Sequence, residues 1–156
     1  MNNKLITMLS LFFFILFLIS VFYIFNVEHS LSCNGSMTQK KTYPDYTVLS
    51  QLNHSIFETI ESGYDTIQGK IIIENETYSV SRVMEYSVLQ RGMSYRTIKI
   101  KSVKKTHRDD LPDEIASKFF PYLVNFDLGL IRLDRISKNL FVVSTPSAPI
   151  VLCYND

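Results

Sequence analysis

Residues 66–105 of the chain read TIQGKIIIENETYSVSRVMEYSVLQRGMSYRTIKIKSVKK. Polar and apolar side chains alternate through the middle of this stretch, and Arg82 is the charged residue on the apolar side, which holds Tyr78, Val80, Met84, Tyr86 and Val88. This alternation is typical of an antiparallel strand that buries one face. Turn residues at 74–76 and 91–92 divide the stretch, so the pattern predicts three consecutive antiparallel strands.

The chain changes character after these strands, at HRDDLPDEIASKFFP (residues 107–121). Asp109 or Asp110 can cap a helix, Pro112 suits its first turn, and Pro121 ends it. Four further strands are predicted at 122–128, 130–136, 139–145 and 149–154. Residues 46–156 are therefore expected to form a mainly antiparallel β (α+β) domain with one short helix, folded as a curved sheet or partial barrel.

The N-terminal side of this domain begins with an apolar segment, Leu5–Val27, that contains no charged residue. A bilayer core of ~30 Å needs about 20 apolar helical residues, so a single transmembrane helix is predicted at 5–27. A cleaved signal peptide is the alternative. Lys4 precedes the segment, which predicts a cytoplasmic tip at 1–4, a membrane-proximal linker at 28–45 and a periplasmic domain at 46–156. The lipid bilayer is thus a predicted partner, and the part after the segment is expected in the periplasm, or in an extracytoplasmic lumen if the source is eukaryotic.

Two cysteines, Cys33 and Cys153, stand near the two ends of the part that follows the apolar segment. Cysteines in an oxidising compartment are more often paired than free. A disulfide between Cys33 and Cys153 is therefore predicted, with pairing of each thiol to a partner chain as the alternative.

The sequence contains several near-matches to catalytic motifs and no complete one. Gly63–Ile71 resembles a phosphate-binding loop, but its spacing is too long. Ser102–Lys105 has the S-x-x-K spacing but lies in a predicted strand. The histidines lack metal-ligand spacing. No catalytic residue, cofactor or metal is predicted, and the chain is expected not to be an enzyme. The part after the apolar segment has 15 Lys and Arg (16 minus Lys4) and 15 Asp and Glu, so its net charge is about zero and gives no reason to expect a nucleic-acid partner.

Two features favour binding. The first is a basic run, interpreted either as an edge strand protected by lysines or as a docking surface for an acidic partner or anionic lipid: Arg91, Arg96, Lys99, Lys101, Lys104, Lys105 and Arg108. The second is an aromatic set, interpreted either as core or as the lining of a site for an amphipathic ligand: Tyr78, Tyr86, Tyr95, Phe119, Phe120, Tyr122 and Phe126.

The motifs YDTIQGKIII, SRVMEYSV, DDLPDEIASKFFP and SAPIVLCY, together with the membrane-proximal cysteine, resemble the FidL-like family of small bacterial inner-membrane proteins. The organisation is more distantly similar to that of ToxS/VtrC-type periplasmic partners of winged-helix regulators. This resemblance implies a non-enzymatic accessory protein whose periplasmic domain binds and stabilises a membrane-anchored transcription regulator. The alternative is a periplasmic module that binds or senses a small amphiphile such as a bile salt.

Overall fold

The computed structural model describes residues 3–27, 30–92, 94–124, 129–146 and 148–155, and within the first range it describes side chains from Met8 to Phe22. The chain divides into two compact units, Met1–Ser30 and Leu31–Asp156. Residues 1–2 of the predicted tip, residues 28–29 of the predicted linker, Phe126 and most of the strand predicted at 122–128 lie outside the described residues.

The first unit contains one helix, α1, which covers Asn3–Val27. Its described side chains are nearly all apolar and exposed. Among the residues with described placement, no helix combines the length and the apolarity needed to cross a membrane. The prediction of a transmembrane helix at 5–27 is therefore not borne out by the part of the chain that the structure describes.

The second unit is a closed barrel of eight antiparallel strands. Between the fifth and sixth strands lie a short helix, α2 (Asp113–Phe119), and a 3-10 turn (Pro121–Leu123). The strands are β1 (Leu31–Thr42), β2 (Thr47–Glu58), β3 (Ser62–Ile73), β4 (Glu76–Arg91), β5 (Tyr95–Lys105), β6 (Gly129–Arg135), β7 (Leu140–Ser144) and β8 (Pro149–Tyr154).

The predicted fold class, an α+β domain with a curved sheet or partial barrel, is wrong, because the sheet closes into a complete barrel. The sheet closes because β1 pairs with β2 along its whole length and also with β8 at Asn34, Gly35 and Ser36. Pairing with both neighbours satisfies the backbone groups that an edge strand would leave open. Residues 31–42, which the sequence assigned to a linker, are thus part of the sheet.

The strands predicted from residues 66–105 are confirmed. β3, β4 and β5 follow one another with turns after Ile73 and Arg91. On β4, Val80, Met84 and Tyr86 are buried, and so is Arg82. The short helix predicted in residues 107–121 is confirmed as α2, and Pro121 begins the 3-10 turn that follows it. The predicted cap is wrong: no side chain among the described residues caps the helix, because Asp109 binds Arg82 and Asp110 accepts a hydrogen bond from Ser79 N.

The barrel has a long side and a short side. Strands β1–β5 have 11 to 16 residues each, whereas β6–β8 have five to seven. The segment between β5 and β6, which contains α2 and the 3-10 turn, packs against strands β2–β4. Residues of these strands and of the segment form one buried cluster: Val48, Leu52, Ile67, Ile71, Val80, Leu111, Ala116, Phe120 and Leu123. Burial of this apolar surface is the main force that holds the segment against the sheet.

Candidate ligand-binding site

The barrel unit contains a cavity of about 510 Å³, within the range of ~300–1,000 Å³ that is usual for small-molecule sites. Its lining is mostly apolar and includes Ile56, Met84, Ile98, Ile100, Ile131, Val143, Phe119, Phe120 and Tyr122. Several lining residues are also exposed to solvent and mark the opening: Lys41, Pro121, Leu130, Pro146, Ala148 and Pro149. A cavity of this size and polarity can hold a small amphipathic molecule.

One of two buried acidic side chains in the lining, Glu58, is neutralised by arginines. Glu58 is 2% exposed. Its Oε1 atom accepts hydrogen bonds from Arg91 Nη2 at 2.8 Å and from Arg96 Nε at 3.1 Å. Charge-assisted bonds of this kind offset the cost of burying a carboxylate. Glu58 therefore serves mainly to join β2 to the β4–β5 hairpin at this end of the barrel.

The second buried acid, Asp65, is only half satisfied. Its Oδ2 atom lies 2.7 Å from Nδ1 of His54, which is 2% exposed. Its Oδ1 atom and Nε2 of His54 have no hydrogen-bond partner among the described residues. Buried polar atoms are normally hydrogen-bonded. Asp65 is thus a buried polar group on the cavity wall with unused hydrogen-bonding capacity.

Tyr86 and Tyr122 also line the cavity, and each side chain carries a phenol group. Burial raises the pKa of Tyr86, and the carboxylates of Glu58 and Asp65 raise it further. Burial, with a smaller contribution from Asp65, also raises the pKa of Tyr122. Both phenols therefore stay protonated at neutral pH and present uncharged O–H groups.

Arg82 fastens the segment that supplies the aromatic wall. The guanidinium donates to Asp109 Oδ2 from Nε at 2.9 Å, to Leu123 O from Nη1 at 2.5 Å and to Leu111 O from Nη2 at 3.0 Å. Its side chain and that of Asp109 are almost completely buried. This pair fixes both ends of the segment that contains α2, and thereby the positions of Phe119 and Phe120.

The two cysteines form the predicted disulfide, which joins β1 to β8 at the closing seam of the barrel. Their Cα atoms are 5.5 Å apart, and 120 residues separate them in sequence. Both are buried in an apolar cluster with Ile56, Val143 and Val151. The predicted intramolecular pairing is confirmed, and the bond holds together the first and last strands of the barrel unit.

The predicted basic docking surface is divided between the inside and the outside of the barrel. Arg91 and Arg96 bind the buried Glu58. Lys104 pairs with Glu85, and Lys105 pairs with Asp113 at 3.0 Å. Lys99, Lys101 and Arg108 are exposed. The seven residues therefore do not share one face, and a docking role for the exposed members stays a prediction.

The members of the aromatic set divide between the cavity lining, the core and the surface, and their contact with a ligand stays a prediction. Tyr86, Phe119, Phe120 and Tyr122 line the cavity. Phe120 also belongs to a core cluster, and Tyr78 packs against that cluster. Tyr95 is 41% exposed. The sequence could not separate these roles, because a period of two marks a buried face without showing whether that face borders core or cavity.

Sequence reasoning assigned no role to His54 or Asp65, and it placed Arg91 and Arg96, the partners of Glu58, in the basic run instead. Residues 63–71, the near-match to a phosphate-binding loop, form part of β3. A signal was nevertheless present: Leu52, His54, Ile56 and Glu58 occupy alternate positions of one strand. Ionisable groups in such a row of apolar residues point to buried polar pairs.

Among the described residues, no group of His, Cys, Asp and Glu is arranged to hold a metal ion.

The fold and the cavity define a class: small closed antiparallel barrels whose interior is partly filled by side chains and leaves room for one small ligand. The chain belongs to the family described as "FidL-like putative membrane protein", whose sequence model matches residues 69–153. This match covers more than half of the chain and confirms the resemblance found in the motifs. No curated protein matches the chain.

Proposed function

We propose that the barrel unit binds a small amphipathic ligand in its internal cavity. The observation that carries this proposal is the open cavity of about 510 Å³ with a mostly apolar lining and a few buried polar groups. Sites for small molecules in proteins have this composition, because apolar contact gives affinity and the polar groups orient the ligand. The disulfide supports a location in the bacterial periplasm, since such bonds persist in oxidising compartments.

The test uses N-phenyl-1-naphthylamine, a probe whose fluorescence rises in apolar surroundings. The full-length protein is titrated beside Ile98→Phe, which places a larger side chain on the cavity wall; Ile98 is 2% exposed and lines the cavity. Probe that binds to exposed apolar side chains outside the cavity contributes equally to both samples. A saturable signal that the variant lacks supports cavity binding. Equal signals from both proteins, with the variant folded by circular dichroism, would contradict it.

A second candidate function is that of a non-enzymatic accessory protein that binds and stabilises a membrane-anchored winged-helix regulator. The observation that favours it is an apolar surface at one end of the barrel. Phe57 and Tyr64 stack at 5.5 Å between ring centroids and are 37% and 46% exposed. Ile60 lies in the turn between β2 and β3, and Leu89 follows Val88, whose N–H donates to Glu61 O in that turn. Both side chains are more exposed than Tyr64. Exposed aromatic and aliphatic groups in one place are typical of protein interfaces.

Site-specific crosslinking tests the accessory role. A photoreactive phenylalanine analogue at position 64 should form an adduct with a membrane protein that carries a cytoplasmic DNA-binding domain. The matched control is the analogue at Lys70, an exposed position on the same strand. Equal labelling from both positions, or none from position 64, would argue against this interface.

A further inference from the structure

The opening of the cavity carries a positive charge, the ammonium group of Lys41 on β1. Lys41 is the basic residue among the described residues of the lining, and its side chain is exposed to solvent. Its Nζ atom lies 5.6 Å from the centroid of the Phe120 ring, which is buried and also lines the cavity. A cation–π contact of this kind keeps an ammonium group beside an aromatic wall. The charge of Lys41 is thus placed where the cavity meets water.

The two acidic residues of the lining present no accessible charge to a ligand. Glu58 is buried and accepts hydrogen bonds from two arginines. Asp65 is buried as well, and its Oδ2 atom lies 2.7 Å from Nδ1 of His54. Lys41, in contrast, forms no ion pair with an acidic residue in the described part of the chain. The accessible charge of the described lining is therefore the positive charge of Lys41.

We infer that the cavity binds amphiphiles with an anionic head group, such as a carboxylate, which pairs with the Lys41 ammonium at the opening. The apolar chain of such a ligand packs against lining residues such as Ile98 and Ile100. Burial of the chain supplies most of the affinity, whereas the ammonium, which donates hydrogen bonds to anionic oxygen atoms, selects the head group. This inference rests on the proposed ligand-binding function and specifies the chemical class of the ligand.

The exposure of Lys41 sets the strength of this selection. Water and salt screen a charge pair at an opening, so its contribution is smaller than that of a buried pair. The apolar wall on one side of the ammonium reduces this screening. An anion should therefore bind at a concentration about 3- to 10-fold lower than a cation with the same chain. Added salt should reduce this preference.

The test compares octanoate with octylammonium, which have the same chain and opposite charges at neutral pH. Each is used to displace N-phenyl-1-naphthylamine from the full-length protein, and the ratio of the two midpoint concentrations measures the preference. The ratio should favour octanoate by about 3- to 10-fold at about 0.02 M sodium chloride and approach one at about 0.5 M. A preference that salt does not reduce would overturn the pairing with an exposed lysine.

Lys41→Gln is the decisive variant, because it removes the charge and keeps much of the aliphatic side chain. The ratio should fall towards one, whereas Lys41→Arg, which keeps the positive charge, should retain the preference. Lys40→Gln is the matched control: Lys40 is exposed on the opposite face of the same strand, and the variant loses the same charge. An equal fall of the ratio in both glutamine variants would assign the preference to net charge and overturn the role of Lys41.

The outcomes separate this inference from the proposed function. Saturable probe binding with octylammonium equal to or better than octanoate would overturn the selection by head group while leaving cavity binding in place. An unchanged preference in a Lys41→Gln variant that is folded by circular dichroism would remove Lys41 from the site. Probe fluorescence that Ile98→Phe does not reduce would contradict ligand binding altogether.

Discussion

Replacing Arg82 by methionine should detach the α2 segment from the barrel. The substitution keeps much of the aliphatic length and removes the guanidinium, with its bonds to Asp109, Leu111 and Leu123. The carboxylate of Asp109, whose side chain is 0% exposed, loses its close cation; Lys105 Nζ lies 3.8 Å away. Breaking a buried ion pair by removing one partner costs ~3–5 kcal/mol. That is a large share of the ~5–15 kcal/mol by which a domain is normally stable.

Urea unfolding of the full-length protein, followed by far-ultraviolet circular dichroism, measures this loss. Arg132→Met is the matched control, because Arg132 pairs with Asp134 at the surface with side chains 64% and 38% exposed. An exposed pair contributes ~0–1 kcal/mol. Arg82→Met should also expose residues 106–124 to trypsin before global unfolding.

A double variant, Arg82→Met with Asp109→Asn, separates the stranded charge from the lost hydrogen bonds. It should recover part of the stability, since the neutral amide is cheaper to bury than an unpaired carboxylate. If Arg82→Met loses less than about 1 kcal/mol, as the surface control does, Arg82 does not anchor the segment and the reasoning fails.

Three further outcomes are expected. Cys153→Ser should lower the melting temperature of the oxidised protein, because the chain-entropy model assigns ~4–5 kcal/mol to a bond that closes so long a loop; two free thiols in the unreduced wild type would contradict this. Gly35→Ala should destabilise the seam by ~1–3 kcal/mol in urea unfolding, since a Cβ atom there would collide with the Leu152 carbonyl oxygen. The free energy of unfolding should fall as the pH rises past about 10, because the pKa of Tyr86 is raised in the folded state and the unfolded chain loses that proton first. Tyr86→Phe should make this fall shallower, and an unchanged slope would refute it.

Local signals were sufficient for most of the strands and for α2. The alternation on β4 marked its buried face correctly, because side chains of a strand point to opposite faces in turn. Pro112 directly before α2 and Pro121 shortly after it marked the two ends of the helix, because prolines restrict the backbone within a few residues of a helix end. Neither prediction depended on which strands lie next to each other in the fold.

The polar pairs inside the barrel had no local signal of their partners. Arg91 and Arg96 are 33 and 38 residues from Glu58 in sequence, and Arg82 is 27 residues from Asp109. The basic run at 91–108 therefore looked like one surface, although its first two members point inward. Only the register of the strands decides which charges meet.

The sequence by itself determined the antiparallel strands, the short helix and the pair of cysteines, since each depends on residue spacing or on composition. The tertiary structure alone decided that β1 closes the barrel. Residues 31–42 contain Gly35, Ser36 and a run of polar side chains without a clear apolar face. They form a strand because β2 and β8 supply hydrogen-bond partners and Cys33 is bonded to Cys153. Such pairing between distant segments depends on the whole chain and leaves no periodic pattern in the strand that it recruits.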